Sequence, residues 1–226
     1  VLLDELRTVL AEIARDDTVR VLVVTGRGSS FCAGADLTWM RKVVDYTFEE
    51  NVRDAAVISE VFTALYQLRK PTLAAVNGPA IGGGMGFVGA CDVVVAAPDA
   101  IFGLSEVRLG LVPACIGPFV LARAPGAGIR RYLLTGERFG PEIGRELGLV
   151  DVIAPPGKLL DETYRLAGLL LEGAPGAQAT AKEMLERVPG MPLAESVPYT
   201  VEMIARLRAA PEAQHGMRSF LEKKPL

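Results

Sequence analysis

The segment from residue 72 to residue 86, TLAAVNGPAIGGGMG, constrains the fold of this chain more than any other stretch. Thr72–Val76 is an apolar run that predicts a buried strand, and Asn77–Pro79 predicts a turn directly after it. Three consecutive glycines then lead into a predicted helix, Gly84–Cys91. Glycine has no Cβ, so a ligand can approach the backbone closely, and the first amides of a helix have no partner within the helix. The segment therefore predicts main-chain N–H groups that face negative charge, as an oxyanion hole requires.

Two other interpretations of this segment have to be weighed. Pro71–Cys91 contains no charged residue, which is typical of a membrane span. Six glycines, two prolines and Asn77 interrupt the run, however, and charged amphipathic segments flank it, so we expect no contact with a membrane. A tight turn inside the core of a soluble protein, without any ligand, remains open as the purely structural interpretation.

The composition of the chain is typical of a globular protein. Its 226 residues suffice for one sizeable domain or for a domain with an appendage, and 50% hydrophobic residues can form a substantial core. A net charge of -3 without a basic stripe argues against a nucleic-acid partner. No signal-peptide pattern is present, and Val1 already lies within an amphipathic pattern, so we expect an upstream segment to be missing.

The cysteines and the histidine exclude several kinds of catalytic site. Cys32, Cys91 and Cys115 are odd in number, widely spaced and set among apolar neighbours, which favours buried free thiols in a reducing cytoplasm. No Cys/His spacing supports a zinc site, and we expect no metal. The single histidine, His215, lies among polar residues near the C-terminus, where a serine–histidine–aspartate triad is not expected. Catalysis should therefore use carboxylates and main-chain groups.

Helical and strand patterns alternate over the first half of the chain. Residues 1–16 predict an amphipathic helix, Val19–Thr25 a buried strand and Glu49–Leu68 a second helix. Asp92–Ala97 predicts a strand after the glycine segment. Because strands and helices alternate at this spacing, we expect βαβ units and a mostly parallel sheet, that is, an α/β fold.

Helices dominate from about residue 125 onwards, where Leu149–Ile153 is the one candidate strand. The predicted helices are 127–134, 141–147, 157–171, 176–187, 192–209 and 211–222. We therefore expect a core domain over residues 1–125 and a helical region over residues 126–226.

A dinucleotide site in the loop after the first predicted strand is weakly supported. Gly26-Arg27-Gly28 offers two glycines, but Phe31 stands where a third would be needed and no helix begins at Gly28. No lysine completes a phosphate-binding loop either.

One carboxylate stands out as a candidate acid–base group. Glu106 lies between apolar residues in the segment Phe102–Pro113, FGLSEVRLGLVP. A desolvated carboxylate should have a raised pKa, which suits proton transfer near neutral pH. An ion pair with Arg108, or a solvated surface position, is the alternative interpretation.

Five ordered motifs carry a resemblance to a known family. The segments FCAGADL, AAVNGPAIGGGMG, CDVVVAAPDAIFGLSEVRLGLVP and LTGERF, with the ending GMRSFLEKK, resemble the crotonase superfamily of enoyl-CoA hydratases and isomerases. The resemblance runs from about Val19 to Lys224. It implies a spiral core of ββα turns with a C-terminal helical region that forms trimers.

The resemblance also implies the substrate and the groups that bind it. An acyl-coenzyme A thioester would place its carbonyl oxygen between the amides of Ala35 and Gly83, which would stabilise an enolate. Glu106 would be the catalytic acid–base residue. The acyl-CoA would further contact the positions Ala33, Asp36, Leu37, Thr38, Gly82 and Lys223. Trp39 and Met40 would wall the acyl pocket or pack the short helix, and core packing is the favoured interpretation for both.

The chain departs from the family pattern at one important position. Hydratases of the family carry a first glutamate two residues after the triple glycine, where this chain has Gly86, and Glu106 matches only the second glutamate. We expect hydration of a 2-enoyl-CoA to a 3-hydroxyacyl-CoA with Glu106 alone as acid and base. Δ3,Δ2-Enoyl-CoA isomerisation by a single glutamate is the alternative, and so is a weakly catalytic acyl-CoA-binding assembly subunit.

Further expectations follow from the resemblance. The motif SEVRLGLVPA with GGGMG is similar to a subgroup of methylglutaconyl- and isohexenylglutaconyl-CoA hydratases. There Arg108 would meet a substrate carboxylate or form a structural salt bridge. The partners implied are an acyl-CoA substrate and identical subunits, in a homotrimer or a dimer of trimers. No separate cofactor is expected, because coenzyme A is part of the substrate.

Overall fold

The computed structural model describes residues 2–222. Within them lie eleven α-helices and seven strands. The helices are α1 (Leu2–Arg15), α2 (Leu37–Val43), α3 (Phe48–Tyr66), α4 (Gly83–Ala90), α5 (Gly117–Arg123), α6 (Gly128–Thr135), α7 (Pro141–Glu146), α8 (Leu159–Leu171), α9 (Pro175–Arg187), α10 (Leu193–Ala209) and α11 (Pro211–Leu221). The strands are β1 (Leu22–Thr25), β2 (Thr72–Val76), β3 (Ala80–Ile81), β4 (Val93–Ala96), β5 (Phe102–Gly103), β6 (Arg138–Phe139) and β7 (Val152–Ile153).

The described strands form two sheets. β1, β2, β4 and β7 pair in that order and are all parallel. β3, β5 and β6 form a smaller sheet in which β3 and β5 are parallel and β5 and β6 are antiparallel. All five residues of β2 are buried, as expected for a central strand covered on both faces. The predicted α/β fold with a mostly parallel sheet is confirmed.

The strand predictions were incomplete in the short elements. The candidate strand Leu149–Ile153 is reduced to Val152–Ile153, which pairs with β4. The two-residue strands β3, β5 and β6 were not predicted at all, because two residues carry no readable period. The helices predicted beyond residue 125 are present with shifted ends.

The core lies where α3 and α5 pack against α4. α4 buries six of its eight residues, and a Cβ on its Gly89 would come within 2.7 Å of the Val120 amide nitrogen. This close approach of two helix backbones explains the glycine at position 89. α3 begins at a capping box, in which Thr47 and Glu50 exchange side-chain to main-chain hydrogen bonds. It buries Val61, Phe62 and Leu65 against the same core.

The three cysteines differ in burial, and the described residues offer neither a membrane-spanning helix nor a metal-binding group. Cys91 is buried, which raises the pKa of its thiol to about 12, whereas Cys32 and Cys115 are half-buried rather than buried as predicted. All three are free. No helix within residues 2–222 is both long and apolar enough to cross a membrane. The same residues contain no group of three or more side chains that could hold a metal ion.

Candidate active site

Two loops that are distant in sequence meet beside β3. Cys32 pairs with Ala80 in a parallel bridge, in which the Cys32 amide donates to the Pro79 carbonyl at 2.9 Å and the Ile81 amide donates to the Cys32 carbonyl at 2.8 Å. The Asn77 side chain accepts from the Gly26 amide at 3.0 Å, and this hydrogen bond holds the loop that begins at Gly26 after β1. The small-residue loop at 31–36 is thereby held against the entrance to α4.

Each residue of the triple glycine has a different structural role. Gly82 has φ +53° and ψ −115°, a combination open essentially to glycine. A Cβ on Gly84 would lie 2.8 Å from the Cys32 carbonyl oxygen, so the loop at 31–36 can approach only a glycine there. A Cβ on Gly83 would meet no heavy atom within 4 Å. Gly83 therefore borders open space at the start of α4.

Two main-chain amides at this junction are unused. Among residues 2–222, neither the Ala35 amide nor the Gly83 amide donates a hydrogen bond. Gly82, by contrast, donates to the Gly103 carbonyl at 3.0 Å, which fixes the peptide that precedes the Gly83 amide. The free amide of Gly83 also lies at the N-terminus of α4, where the helix dipole favours negative charge. Such amides can stabilise a developing oxyanion.

The side chain of Glu106 also lies where the glycine loop meets the loop at 31–36. It begins a short 3₁₀ helix, Glu106–Leu109, that follows β5. Its Oε1 atom lies 3.3 Å from the position that a Cβ on Gly82 would take, and that position is 3.9 Å from the Gly34 Cα. The carboxylate therefore lies over the glycine loop, next to the loop at 31–36. This placement brings together residues that the sequence analysis had taken from three separate segments.

The environment of Glu106 favours the protonated carboxyl. Its Oε2 atom is buried and has no hydrogen-bond partner among the described residues. Burial raises the pKa of Glu106 above its ordinary value, and a hydrogen bond from its own main-chain amide only partly opposes that effect. A desolvated carboxyl with one oxygen left without a hydrogen bond by the described residues can accept and return a proton.

The alternative ion pair of Glu106 with Arg108 is not formed. Arg108 donates from Nε to the Thr135 carbonyl at 3.2 Å and packs against Gly136, whose φ is +64°. The arginine thus closes the C-terminal end of α6. Among the described residues Arg108 forms no salt bridge, so the structural salt bridge expected from the sequence is replaced by this hydrogen bond to a carbonyl.

The place of the first family glutamate is filled by apolar side chains. A Cβ on Gly86 would lie 2.6 Å from Phe62 Cε1, Phe62 Cζ and Ile116 Cγ2. Phe62 is 2% exposed and makes an edge-to-face contact with Phe87 at 5.1 Å between ring centroids. The missing carboxylate could be predicted from the sequence but these two residues could not, because no local pattern indicates which distant side chains occupy a vacated volume.

The remaining predicted substrate-binding positions line the start of α2. Asp36 caps this helix, and its carboxylate accepts from the Thr38 amide at 2.6 Å and the Trp39 amide at 3.2 Å. These main-chain hydrogen bonds lower the pKa of Asp36. Ala33, Leu37 and Thr38 are exposed, and their contact with acyl-CoA stays a prediction. Lys223 lies outside the described residues.

Comparison with known proteins agrees with the motifs. The sequence profile of the family described as Enoyl-CoA hydratase/isomerase matches residues 1–226. A Thermus thermophilus protein named "Putative enoyl-CoA hydratase" is 40% identical over 217 residues, which are 96% of this chain and 85% of that protein. The short-chain-enoyl-CoA hydratase of Clostridium acetobutylicum is 30% identical over 226 residues, which are 99% of this chain and 85% of that protein.

Solved structures show the same relationship. The crystal structure of an enoyl-CoA hydratase from Shewanella pealeana superposes with a TM-score of 0.95 at 35% identity, covering 99% of this chain and 84% of that chain. Pseudomonas aeruginosa AtuE superposes with a TM-score of 0.93 at 31% identity, covering 99% of this chain and 87% of that chain. The resemblance drawn from the five motifs is thereby confirmed, together with the crotonase fold. The chain belongs to the enoyl-CoA hydratase/isomerase family of enzymes, within the crotonase superfamily.

Proposed function

We propose that the protein hydrates a 2-enoyl-CoA thioester to a 3-hydroxyacyl-CoA and that Glu106 is its only catalytic carboxylate. One observation carries the proposal: the Glu106 carboxylate, whose buried Oε2 atom has no hydrogen-bond partner among the described residues, lies over the glycine loop that presents the unused Gly83 amide. The names of the relatives support it, since both curated relatives compared above are named as enoyl-CoA hydratases.

In this proposal the main chain stabilises the charge and the carboxylate moves the protons. The thioester oxygen accepts hydrogen bonds from the Ala35 and Gly83 amides. Water adds through its oxygen to C3 while Glu106 takes one of its protons, and the C2–C3 π electrons move onto the thioester as an enolate. Glu106 then returns the proton to C2, so that the net change is the addition of H and OH. Coenzyme A is part of the substrate, and the reaction needs no separate cofactor.

The raised pKa of Glu106 suits both halves of this cycle. A carboxylate with an ordinary pKa is a weak base toward water and, once protonated, loses its proton quickly to solvent. Burial brings the pKa of Glu106 closer to neutrality, where a group can serve as base and then as acid. The substrate would complete the desolvation, because it would cover the side of the carboxylate that now faces solvent.

A specific observation favours a second candidate, the Δ3,Δ2-enoyl-CoA isomerase. Phe62 and Ile116 occupy the space where a second carboxylate would hold water. In the isomerase reaction Glu106 removes a proton from C2 of a 3-enoyl-CoA and returns it to C4, which moves the double bond without adding water. One carboxylate and one oxyanion hole suffice for that exchange.

Two substrates separate the candidates. Hydration of a 2-enoyl-CoA removes the absorbance of the conjugated thioester, whereas isomerisation of a 3-enoyl-CoA creates it. We expect loss of absorbance with the first substrate, and a panel of straight, branched and carboxylated acyl groups would then define the acyl preference. Turnover of the 3-enoyl-CoA alone would replace the hydratase proposal with the isomerase. Binding of both thioesters without turnover would support an acyl-CoA-binding subunit instead.

The role of Glu106 is tested by Glu106→Gln, which keeps the size of the side chain and removes the titrating group. We expect turnover to fall by about 10²- to 10⁴-fold, the usual contribution of general acid–base catalysis. Binding of a saturated acyl-CoA should persist, as measured by isothermal titration calorimetry. Glu146→Gln, on the exposed end of α7, is the matched control and should keep full turnover. Wild-type rates in Glu106→Gln would remove Glu106 from the mechanism.

A further inference from the structure

The helix next to the proposed oxyanion hole is weakly held. α2 has seven residues, all of them described, and none is buried. Its first residue, Leu37, is 71% exposed. Burial of an apolar face is what normally holds a surface helix in place. Trp39, Met40 and Val43 are only half-buried, so the orientation of α2 depends strongly on its few polar contacts.

One side-chain hydrogen bond connects α2 to the rest of the described fold. Trp39 donates from Nε1 to Oδ1 of Asp54 in α3 at 2.9 Å, and both residues are half-buried. Within residues 2–222, no other hydrogen bond or ion pair joins a side chain of α2 to another helix or strand. The acceptor is a carboxylate, and hydrogen bonds to charged groups are shorter and stronger than neutral ones.

The orientation of α2 is coupled to the Ala35 amide through a single residue. Asp36 follows Ala35 and accepts from the amides of Thr38 and Trp39 through its side chain, so the peptide after Ala35 and the first turn of α2 move as one unit. The N–H group of Ala35 lies in the peptide before Ala35, so rotation of α2 reaches it through the backbone of Ala35 alone. This is the amide that the proposed mechanism uses in the oxyanion hole.

The partner helix, in contrast, is firmly anchored. The Ala55 carbonyl of α3, next to Asp54, accepts from the Cys115 thiol at 3.6 Å. Further along, α3 buries Val61, Phe62 and Leu65 in the core. Asp54 thus provides a fixed point from which α2 is positioned.

We propose that Asp54 is a positioning residue that acts through the indole of Trp39 to orient α2 and aim the Ala35 amide at the substrate carbonyl. This role rests on the proposed function, because it requires a thioester oxygen between the two amides. Asp54 itself touches no reacting atom. The Trp39 side chain, expected from the sequence to wall the acyl pocket or pack α2, is the connecting element.

Loss of the Trp39–Asp54 hydrogen bond should affect kcat more than KM. The amides bind the thioester oxygen most strongly once it carries negative charge, so a misaimed donor lowers kcat more than it raises KM. Asp54→Ala and Trp39→Phe should each lower kcat by about 10- to 100-fold, less than the full loss of one donor. Asp54→Asn keeps an oxygen acceptor at the same position and should restore kcat to within about threefold of wild type. Glu49→Gln, on the exposed first turn of the same helix, controls for the charge change.

Fluorescence gives a readout that does not depend on activity. Trp39 is the only tryptophan of the chain, so emission excited at the red edge of absorption reports this indole alone. In Asp54→Ala the indole loses its acceptor, and we expect its emission to shift to longer wavelength. Asp54→Asn and Glu49→Gln should keep the wild-type spectrum. Circular dichroism of each variant would show that the fold is retained.

The outcomes distinguish the positioning role from the function on which it rests. Wild-type kcat in Asp54→Ala, or an Asp54→Asn enzyme as slow as Asp54→Ala, would overturn the role of the Trp39–Asp54 hydrogen bond and leave the hydratase proposal standing. A rise in KM with unchanged kcat in Asp54→Ala would also overturn the positioning role, because that pattern indicates lost substrate binding. A wild-type protein that turns over no enoyl-CoA would refute the proposed function itself, and the positioning role with it.

Discussion

Gly86→Ala tests whether the space of the missing carboxylate is really filled. The substitution adds a single methyl group within α4, where it would lie 2.6 Å from Phe62 and Ile116. Phe62 cannot easily retreat, because it is 2% exposed and lies against Phe87 and Phe119 at ring-centroid distances of 5.1 and 6.2 Å. Overpacking of a core of this kind costs about 1–3 kcal/mol.

The same substitution also has a favourable effect that must be separated from the steric one. Alanine is better than glycine in a helix interior by about 1 kcal/mol. Gly168→Ala in α8 offers the matched control, since Gly168 is exposed and a Cβ there would meet no heavy atom within 4 Å. Both variants share the helical gain, so the difference between them isolates the overpacking. We expect Gly168→Ala to be the more stable by about 1–3 kcal/mol.

The assay is urea denaturation of both variants and the wild type at one protein concentration, followed by circular dichroism. Gly86→Ala should cost less in a Phe62→Leu background than in the wild type, because the crowded ring atoms are then absent. If Gly86→Ala is as stable as Gly168→Ala, the space beside Gly86 is not occupied. Phe62 and Ile116 would then not exclude a second carboxylate from this position.

Three further predictions concern pH, the glycine loop and assembly. Because burial raises the pKa of Glu106, the folded state holds this proton to higher pH than the unfolded chain, and the contribution of Glu106 to stability falls as pH rises through the raised pKa. Glu106→Gln should abolish that fall in denaturation midpoints measured from acidic to neutral pH. An identical pH dependence of the midpoint in both proteins would contradict the raised pKa. Gly82→Ala should cost about 1–3 kcal/mol in urea denaturation, because φ +53° with ψ −115° is strained for alanine, whereas equal stability with the unstrained control Gly117→Ala would refute this. Light scattering should give a trimer or hexamer of the 24.1 kDa chain, since the exposed Leu109–Val112 segment beside the site offers an apolar surface for a neighbouring subunit, and a monomer would rule the assembly out.

The fold could be predicted wherever a local pattern is long enough. Parallel βαβ units were indicated by the largely apolar runs of β1, β2 and β4 and by the helix predicted between β1 and β2, and the structure confirms them. The two-residue strands β3, β5 and β6 could not be predicted, because pairing with distant neighbours defines them rather than their own residues. Yet β3 and β5 hold the glycine loop and Glu106, so the least predictable elements lie closest to the site.

In the candidate site, too, some features could be predicted from local sequence and others depend on packing. The triple glycine and a carboxylate among apolar residues indicated an oxyanion hole and a group with a raised pKa, and the structure places Glu106 over Gly82. The sequence also offered an ion pair between Glu106 and Arg108, which the structure replaces with a hydrogen bond from Arg108 to a carbonyl. Two charges that are close in sequence need not point the same way.

The amino-acid sequence by itself determined the chemical groups available: one candidate carboxylate, a glycine loop that only certain dihedral angles satisfy, and no carboxylate at position 86. These properties are local, because they depend on the residue type and on the backbone next to it. Only the tertiary structure decided that Glu106 Oε2 is buried without a hydrogen-bond partner in the described part of the chain, that Phe62 and Ile116 fill the space beside Gly86, and that Asp54 accepts a hydrogen bond from Trp39. Each of these depends on which distant side chains compete for one volume or one hydrogen bond, and that is settled when the whole chain packs.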